Sequence, residues 1–304
     1  VAVLPAHRVA TPVLDVLAGD GQGGEARGVV LGAGATAGWV DLDGFVVAVT
    51  TREVPLLPNA VALAAGSGAL TGAGLGAGAP ARLAPGRVEL GGLRITWDPA
   101  APPAWDPTVP GSPADPAAVA RRGAELLQAL GVRADPDPDT LVADLAGTGL
   151  ATAADPDGAP ALALLLRAVH GRDPEAAARA AQGLLGRGPG LTPEGDDLLA
   201  AAAGTLAVHG PATGLDRAAI SALLAALAPT PGRTTALSAT LLTLAAQARL
   251  AEPAGRLLDL RPEGDAAWPA ALERLRRLGH GSGRAYAAGI AATTTLLAAA
   301  SPIR

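Results

Sequence analysis

The run Trp39-Val40-Asp41-Leu42-Asp43-Gly44-Phe45-Val46-Val47-Ala48-Val49 decides how the first part of the chain is read. Two short apolar segments flank Asp43-Gly44, a pair suited to the positive φ angles of a two-residue hairpin turn. Comparable segments lie on either side: Gly28-Val29-Val30-Leu31 before it, and Val88-Glu89-Leu90 and Leu93-Arg94-Ile95-Thr96-Trp97 after it. Gly91-Gly92 separates the last two and is a second hairpin signal. Short runs broken by Gly, Pro and Asp predict a β-rich domain, either a partly closed barrel or a sandwich. From Asp98 to Pro116 the chain is rich in proline, with Trp105 in the middle, and repeated proline favours extended backbone. The domain boundary falls near residue 113. This gives a β-rich domain over 1–113, with the proline-rich linker at its end, and a second domain over 114–304.

The second domain reads as helix throughout. The expected helices are Pro116–Leu130, Pro138–Ala146, Pro160–Val169, Pro174–Leu185, Pro193–Val208, Leu215–Leu227, Arg233–Leu250, Ala266–Leu278 and Arg284–Ala300. Several open on Pro or Asp-Pro and many end at Gly, the usual asymmetry of helix termini. The expectation is an all-α bundle of about eight or nine helices. The fold class is therefore α+β, with no fixed-period repeat.

Composition excludes several chemistries. The 304 residues contain no Cys, no Met and no Lys. There is no thiol nucleophile, Cys-ligated zinc, Schiff-base lysine or Walker A lysine. Net charge is −5, and no basic run exceeds Arg121-Arg122 or Arg276-Arg277, which argues against a nucleic-acid partner. The most apolar stretch, Ala287 to Ala300, is shorter than a membrane span. Val1 to Asp15 carries His7, Arg8 and Asp15 and reads as no secretory signal, so the expectation is a cytoplasmic protein.

Gly32-Ala33-Gly34-Ala35-Thr36-Ala37 matches the G-x-G-x-x-A dinucleotide fingerprint. The residues after it read as strand and turn where a helix is required. With 40 Gly in the chain, a loop is the better reading.

The most unusual segment is Gly186-Arg187-Gly188-Pro189-Gly190-Leu191-Thr192-Pro193-Glu194-Gly195-Asp196-Asp197-Leu198-Leu199. A glycine loop leads to Thr192, expected as N-cap, and to Pro193, expected at the first helical position. Glu194, Asp196 and Asp197 crowd the first turn, where the helix dipole favours negative charge. The plain reading is a well-capped helix. Gly195 speaks against it, because glycine inside a helix costs up to about 1 kcal/mol against alanine. Either a ligand or a packed helix must approach that backbone closely. Ala200, Ala203 and Gly204 behind it suit tight helix contact. A second segment, Arg277-Leu278-Gly279-His280-Gly281-Ser282-Gly283-Arg284, has similar grammar. Gly279 can end one helix in the left-handed region and Ser282 can cap the next. The N–H groups of Gly281, Ser282 and Gly283, with Arg284 beside them, would make an anion site. The plain alternative is a tight αα turn in which His280 packs or caps. A third segment, Pro231-Gly232-Arg233-Thr234-Thr235 with Ser238 one turn on, again sets an Arg and hydroxyls at a helix start.

Gly190-Leu191-Thr192-Pro193-Glu194-Gly195-Asp196-Asp197, followed by Gly279-His280-Gly281-Ser282-Gly283, resembles the bacterial family typified by AllH, a subunit of oxamate carbamoyltransferase. Its hallmark is G-L-T-P-S-G-D-D, then a Ser-bearing helix, where Ser238 falls, then G-H-[TS]-S-G. The resemblance covers most of the chain but is sharp only from about Leu184 to the end. Three positions depart from the pattern. Glu194 stands where Ser is usual, Gly281 where Thr or Ser is usual, and Arg284 where many members carry an acid.

The resemblance implies carbamoyl transfer between carbamoyl phosphate and an amide or ureide such as oxamate or oxalurate, within purine and allantoin catabolism. It also implies partner subunits, one similar to a succinyl-CoA synthetase subunit, and usually a carbamate kinase nearby. Such chemistry needs a phosphate cradle, cations for a carboxylate and donors for the developing oxyanion. Arg187, Arg233 and Arg284 are the candidate cations, since each adjoins a glycine-rich helix start. His280 is a candidate acid–base group. Asp196 and Asp197 either act at the site, with Mg²⁺ as the one cofactor to consider, or order the loop through backbone and Arg. Neighbours on a helix diverge by roughly 100°, so one of the pair should face the site. Gly190, Thr192, Gly195, Thr234, Ser238, Gly281, Ser282 and Gly283 complete the expected ligand set. The chain is read as a transferase subunit or, alternatively, as its non-catalytic scaffold partner. A helical Asp/Mg²⁺ hydrolase is weaker because the last helix offers no second acidic motif. A Ser hydrolase is weaker still, because neither Ser67 nor Ser282 lies in G-x-S-x-G.

Overall fold

The computed structural model describes residues 2–19, 25–71, 73–111, 115–135 and 137–300. The boundary expected near residue 113 lies outside the described residues. The chain divides into two compact units, Val1–Pro107 and Thr108–Arg304.

The first unit contains β1 (Ala2–Ala10), α1 (Thr11–Gly19), β2 (Ala26–Ala33), β3 (Ala37–Leu42), β4 (Phe45–Thr50), β5 (Ala60–Leu63), β6 (Pro80–Ala84), β7 (Arg87–Leu90), β8 (Leu93–Thr96) and β9 (Ala104–Trp105). The strands run in the order β5-β4-β3-β2-β6-β7-β8-β1, and β1 pairs back onto β5. Of the two expected all-β architectures, this is the barrel. Its eight strands close, and closure removes exposed sheet edges. β9 is an extra strand. β1 is shared three ways. Its first half runs parallel to β8 (Ala2↔Leu93 to Pro5↔Thr96), its last residues run parallel to β9 (Val9↔Ala104, Ala10↔Trp105), and its other side is antiparallel to β5 (Ala6↔Leu63 to Val9↔Val61).

The Asp43-Gly44 hairpin forms as expected. Both residues have positive φ, 49° and 97°, and Leu42 pairs with Phe45. The Gly44 N–H also donates to Asp41 Oδ1 at 2.8 Å. Val47 and Val49 of β4 join Val30, Val40, Val61, Leu83 and Val88 in the barrel core. The dinucleotide-like run turns back directly from β2 to β3, with Ala33 paired to Gly38 and Gly34 N–H donating to the Ala37 carbonyl at 2.7 Å. No helix N-terminus follows to hold a pyrophosphate.

The second unit contains α2 (Pro116–Ala129), α3 (Pro138–Ala146), α4 (Ala151–Ala154), α5 (Gly158–Gly171), α6 (Pro174–Leu184), α7 (Glu194–His209), a 3₁₀ turn (Pro211–Thr213), α8 (Arg217–Ala226), α9 (Ala236–Ala245), α10 (Glu252–Leu258), α11 (Pro262–Arg276) and α12 (Ser282–Ala299). The nine expected helices are all present. α4 and α10 are additional short ones, so the bundle exceeds the expected number. The Asp-Pro starts behave as capping rules require. Asp115, Asp137 and Asp173 accept backbone N–H bonds at the heads of α2, α3 and α6, with Pro at the first helical turn.

α7 and α12 form the centre. Nearly every residue of α7 is buried, and α12 packs on α7, α2 and α5. Small residues permit this approach. A Cβ at Gly289 of α12 would stand 2.7 Å from Ala201 Cβ on α7, and one at Gly123 of α2 would stand 2.9 Å from the Thr295 nitrogen. Among the described residues no helix is long and apolar enough to cross a membrane.

Candidate functional site

The loop before α7 and the turn before α12 meet. Thr192 Oγ1 and Ser282 Oγ lie 2.8 Å apart. This corrects two expectations. Thr192 does not cap α7 and Ser282 does not cap α12. The capping positions are Pro193 and Gly281, neither with a side-chain cap bond, and the Asp196 and Asp197 N–H groups donate to the Pro193 carbonyl. Each hydroxyl serves the other segment instead.

The two aspartates diverge as their spacing requires. Asp196 faces inward to the chain. It accepts from Gly186 N–H at 2.8 Å on Oδ1 and from the Thr234 hydroxyl on Oδ2. Its carboxylate thereby fastens the glycine loop to the segment before α9. Thr235 Oγ1 donates to the Leu191 carbonyl at 2.6 Å, Ser238 Oγ approaches the same carbonyl at 3.5 Å, and Thr235 also caps α9. Thr234 and Ser238 thus hold the loop from behind. Asp197 turns the other way, toward α12. It is 4% exposed and its Oδ2 has no partner. Burial first holds its carboxyl well above the usual carboxylate range. The Ser282 hydroxyl beside it pulls downward, and the charges of Asp196 and Glu194 push up again.

Each Asp196 oxygen already accepts a hydrogen bond from the chain itself. Among the described residues no group of three or more His, Asp or Glu is placed to hold a metal.

Gly195 is explained by packing. A Cβ there would stand 2.1 Å from the Leu184 carbonyl oxygen, and its N–H donates to the Arg187 carbonyl at 2.9 Å. The close neighbour is the end of α6. Gly283 is similar. Its Cβ would collide with the Leu275 carbonyl, and its N–H donates to the Leu278 carbonyl at 3.0 Å, so that N–H does not point to an anion. Gly279 takes φ +62°, the left-handed turn expected of it. Gly281 is half-buried, and Gly190 is exposed with φ +99°.

The three candidate cations part company. Arg187 Nη1 donates to Asp155 at 2.5 Å and Nε to the Gly183 carbonyl at 3.0 Å. Arg233 Nη2 donates to the Gln182 carbonyl at 2.8 Å. Arg284 stands exposed on the first turn of α12, beside the meeting point. His280 is exposed in the turn before it.

Two residues outside the expected set belong to the cluster. Glu194 accepts from the Ala151 and Thr152 N–H groups at 3.2 and 3.5 Å, closing the head of α4. Burial raises its carboxyl, opposed by those bonds and by Arg284. Tyr286 lies four residues after Ser282, on the same face of α12. Burial, and then the Asp197 charge, holds its phenol up in the neutral form. That i, i+4 spacing of the chain's single Tyr was the signal available in the sequence.

Residues 184–294 match the family model described as oxamate carbamoyltransferase subunit AllH. The resemblance drawn from the two motifs is borne out over that stretch, which lies wholly within the helical unit. No curated protein and no solved structure matches the chain.

Proposed function

We propose that the chain is a subunit of an oxamate- or oxalurate-type carbamoyltransferase, and that its helical unit binds the small anionic ligand where the heads of α7 and α12 meet. The observation carrying this reading is the Thr192–Ser282 contact, which joins the two matched motifs into one place. Arg284 supplies the cation for a carboxylate or phosphate, and the N–H groups of Gly281 and Ser282 supply donors. Arg187 and Arg233 serve the loop rather than the ligand. Asp197 and Ser282 are the groups placed for chemistry, with His280 at the rim.

The test is reconstitution with synthetase-like partner subunits, followed by assay of carbamoyl phosphate formation from oxalurate and phosphate. Activity that requires this chain, and a clear loss on Arg284→Ala, support the reading. Full activity without the chain sinks it. The second reading is a scaffold subunit, favoured by the fact that two of the three cations already bond to the chain's own groups. Under that reading calorimetry finds no oxalurate or carbamoyl phosphate binding, yet the chain co-purifies with its partners.

A further inference from the structure

Carbamoyl exchange between phosphate and an amide moves one proton. When phosphate cleaves a ureide, the C–N bond breaks, a C–O bond to phosphate forms, and the departing amide nitrogen must gain hydrogen. In the opposite direction that nitrogen must lose it. A site for this reaction needs a group that holds the proton and a path to the nitrogen.

Asp197 and Ser282 have the geometry for both. Asp197 is buried on α7, and its Oδ2 meets no partner. Ser282 is the more open of the two: it is half-buried at the first residue of α12, with its hydroxyl 2.8 Å from Thr192 Oγ1 and beside the Asp197 carboxyl. A hydroxyl donates one proton while accepting another. We infer that Asp197 is the proton reservoir of the transfer step and that Ser282 carries the proton between it and the ligand nitrogen. This assignment rests on the carbamoyl-transfer reading above.

The step balances. In cleavage Asp197 gives its proton to Ser282 Oγ as Ser282 gives its own to the leaving nitrogen. Hydrogen phosphate bonds to the carbamoyl carbon, and the proton it sheds returns through Ser282 to Asp197. In synthesis the C–N bond forms as the nitrogen's proton passes through Ser282 to Asp197, and phosphate leaves with the C–O electrons and takes that proton back through Ser282 to become hydrogen phosphate. The groups acting on Asp197 suit this role. Glu194 and Asp196 on its own helix raise its proton affinity, and Tyr286 on α12 stays neutral. A carboxyl that keeps its proton in this setting is ready to act as an acid in cleavage.

The reconstituted complex tests the relay through kcat in both directions across pH, at saturating substrate. The cleavage kcat falls as pH rises through the Asp197 titration, and the synthesis kcat rises through it. Asp197→Asn keeps the shape but loses about 100-fold or more of kcat both ways. It also abolishes both pH limbs, with KM little changed. Ser282→Thr retains activity that Ser282→Ala loses. An Asp197→Asn enzyme with wild-type kcat, intact pH limbs or a change confined to KM overturns the relay, as does a Ser282→Ala enzyme equal to Ser282→Thr. Should Asp197→Asn fail to fold, shown by its melting curve, the two Ser282 variants decide. A wild-type complex with no carbamoyl transfer overturns the underlying reading and the relay with it. An active wild type beside indifferent variants overturns the relay alone.

Discussion

At the scale of single residues, adjacent side chains of like chemistry perform opposite tasks. Asp196 is bonded on both oxygens, and Asp197 is buried with one oxygen unmet. The pH dependence of stability follows from the second. The folded chain keeps the Asp197 proton where the unfolded chain has lost it, because burial raises this carboxyl from its ordinary 3.8. Unfolding then releases a proton, so stability falls as pH rises above about 3.8 and levels off once the raised value is passed. Asp197→Asn flattens that slope, measured by urea melts across pH. A slope unchanged in the variant would mean that the proton sits elsewhere. Gly195 gives a second prediction. Gly195→Ala improves helix propensity, yet its methyl group meets the Leu184 carbonyl, so the variant loses about 1–3 kcal/mol or more. A variant as stable as wild type refutes the packing account. The sequence already signalled the anomaly at Gly195 and the divergence of the two aspartates. It could not reveal that Thr192 and Ser282 bond to each other, because each also had a local capping role open to it and only the tertiary approach of α12 decides between them.

At the scale of elements, the α7–α12 pair sets everything near the candidate site. Gly289→Ala forces a methyl group against Ala201 Cβ, and a loss of about 1–3 kcal/mol is expected, read as a lowered melting temperature. Thr192→Val preserves shape but removes the bond to Ser282. A double-mutant cycle with Ser282→Ala should give a coupling of about 0.5–1.5 kcal/mol, and zero coupling would mean that the contact contributes nothing. At the far end of α7, His209 is fully buried and its pKa is pushed down to about 3, by burial first and then by the Arg122 charge. Below its ordinary 6.5 the unfolded chain takes up a proton that the folded one refuses, so stability falls as pH drops from 6.5 toward 3. The His209 imidazole resonances of the folded protein should stay those of the neutral ring down to about pH 4. Long helices opened by Asp-Pro were legible from sequence because capping chemistry is local. α4, with four residues, and α10, with seven, were not, since neither is long enough to establish a helical period. β1 was missed because Pro5, His7 and Arg8 interrupt its apolar alternation.

At the scale of the whole molecule, the barrel and the helices each have a separate core. Residues 108–304 expressed alone are therefore expected to give a helical circular dichroism spectrum and a cooperative melt. A broad, non-cooperative transition would show that the barrel is required. The class of each half was legible from its hydrophobic period, but the closing of the barrel was not, because that depends on pairings between residues distant along the chain.

Those distant pairings bear on how the protein is made. The first strand finds its neighbours only at Val61–Leu63, at Leu93–Thr96 and at Ala104–Trp105. During synthesis one of its edges waits until Val61–Leu63 has left the ribosome, and the other until Leu93–Thr96 and Ala104–Trp105 have followed. High contact order of this kind slows folding, and α2 of the helical half waits in the same way for α12. A chaperone that shields one extended strand would have its natural client in residues 2–10.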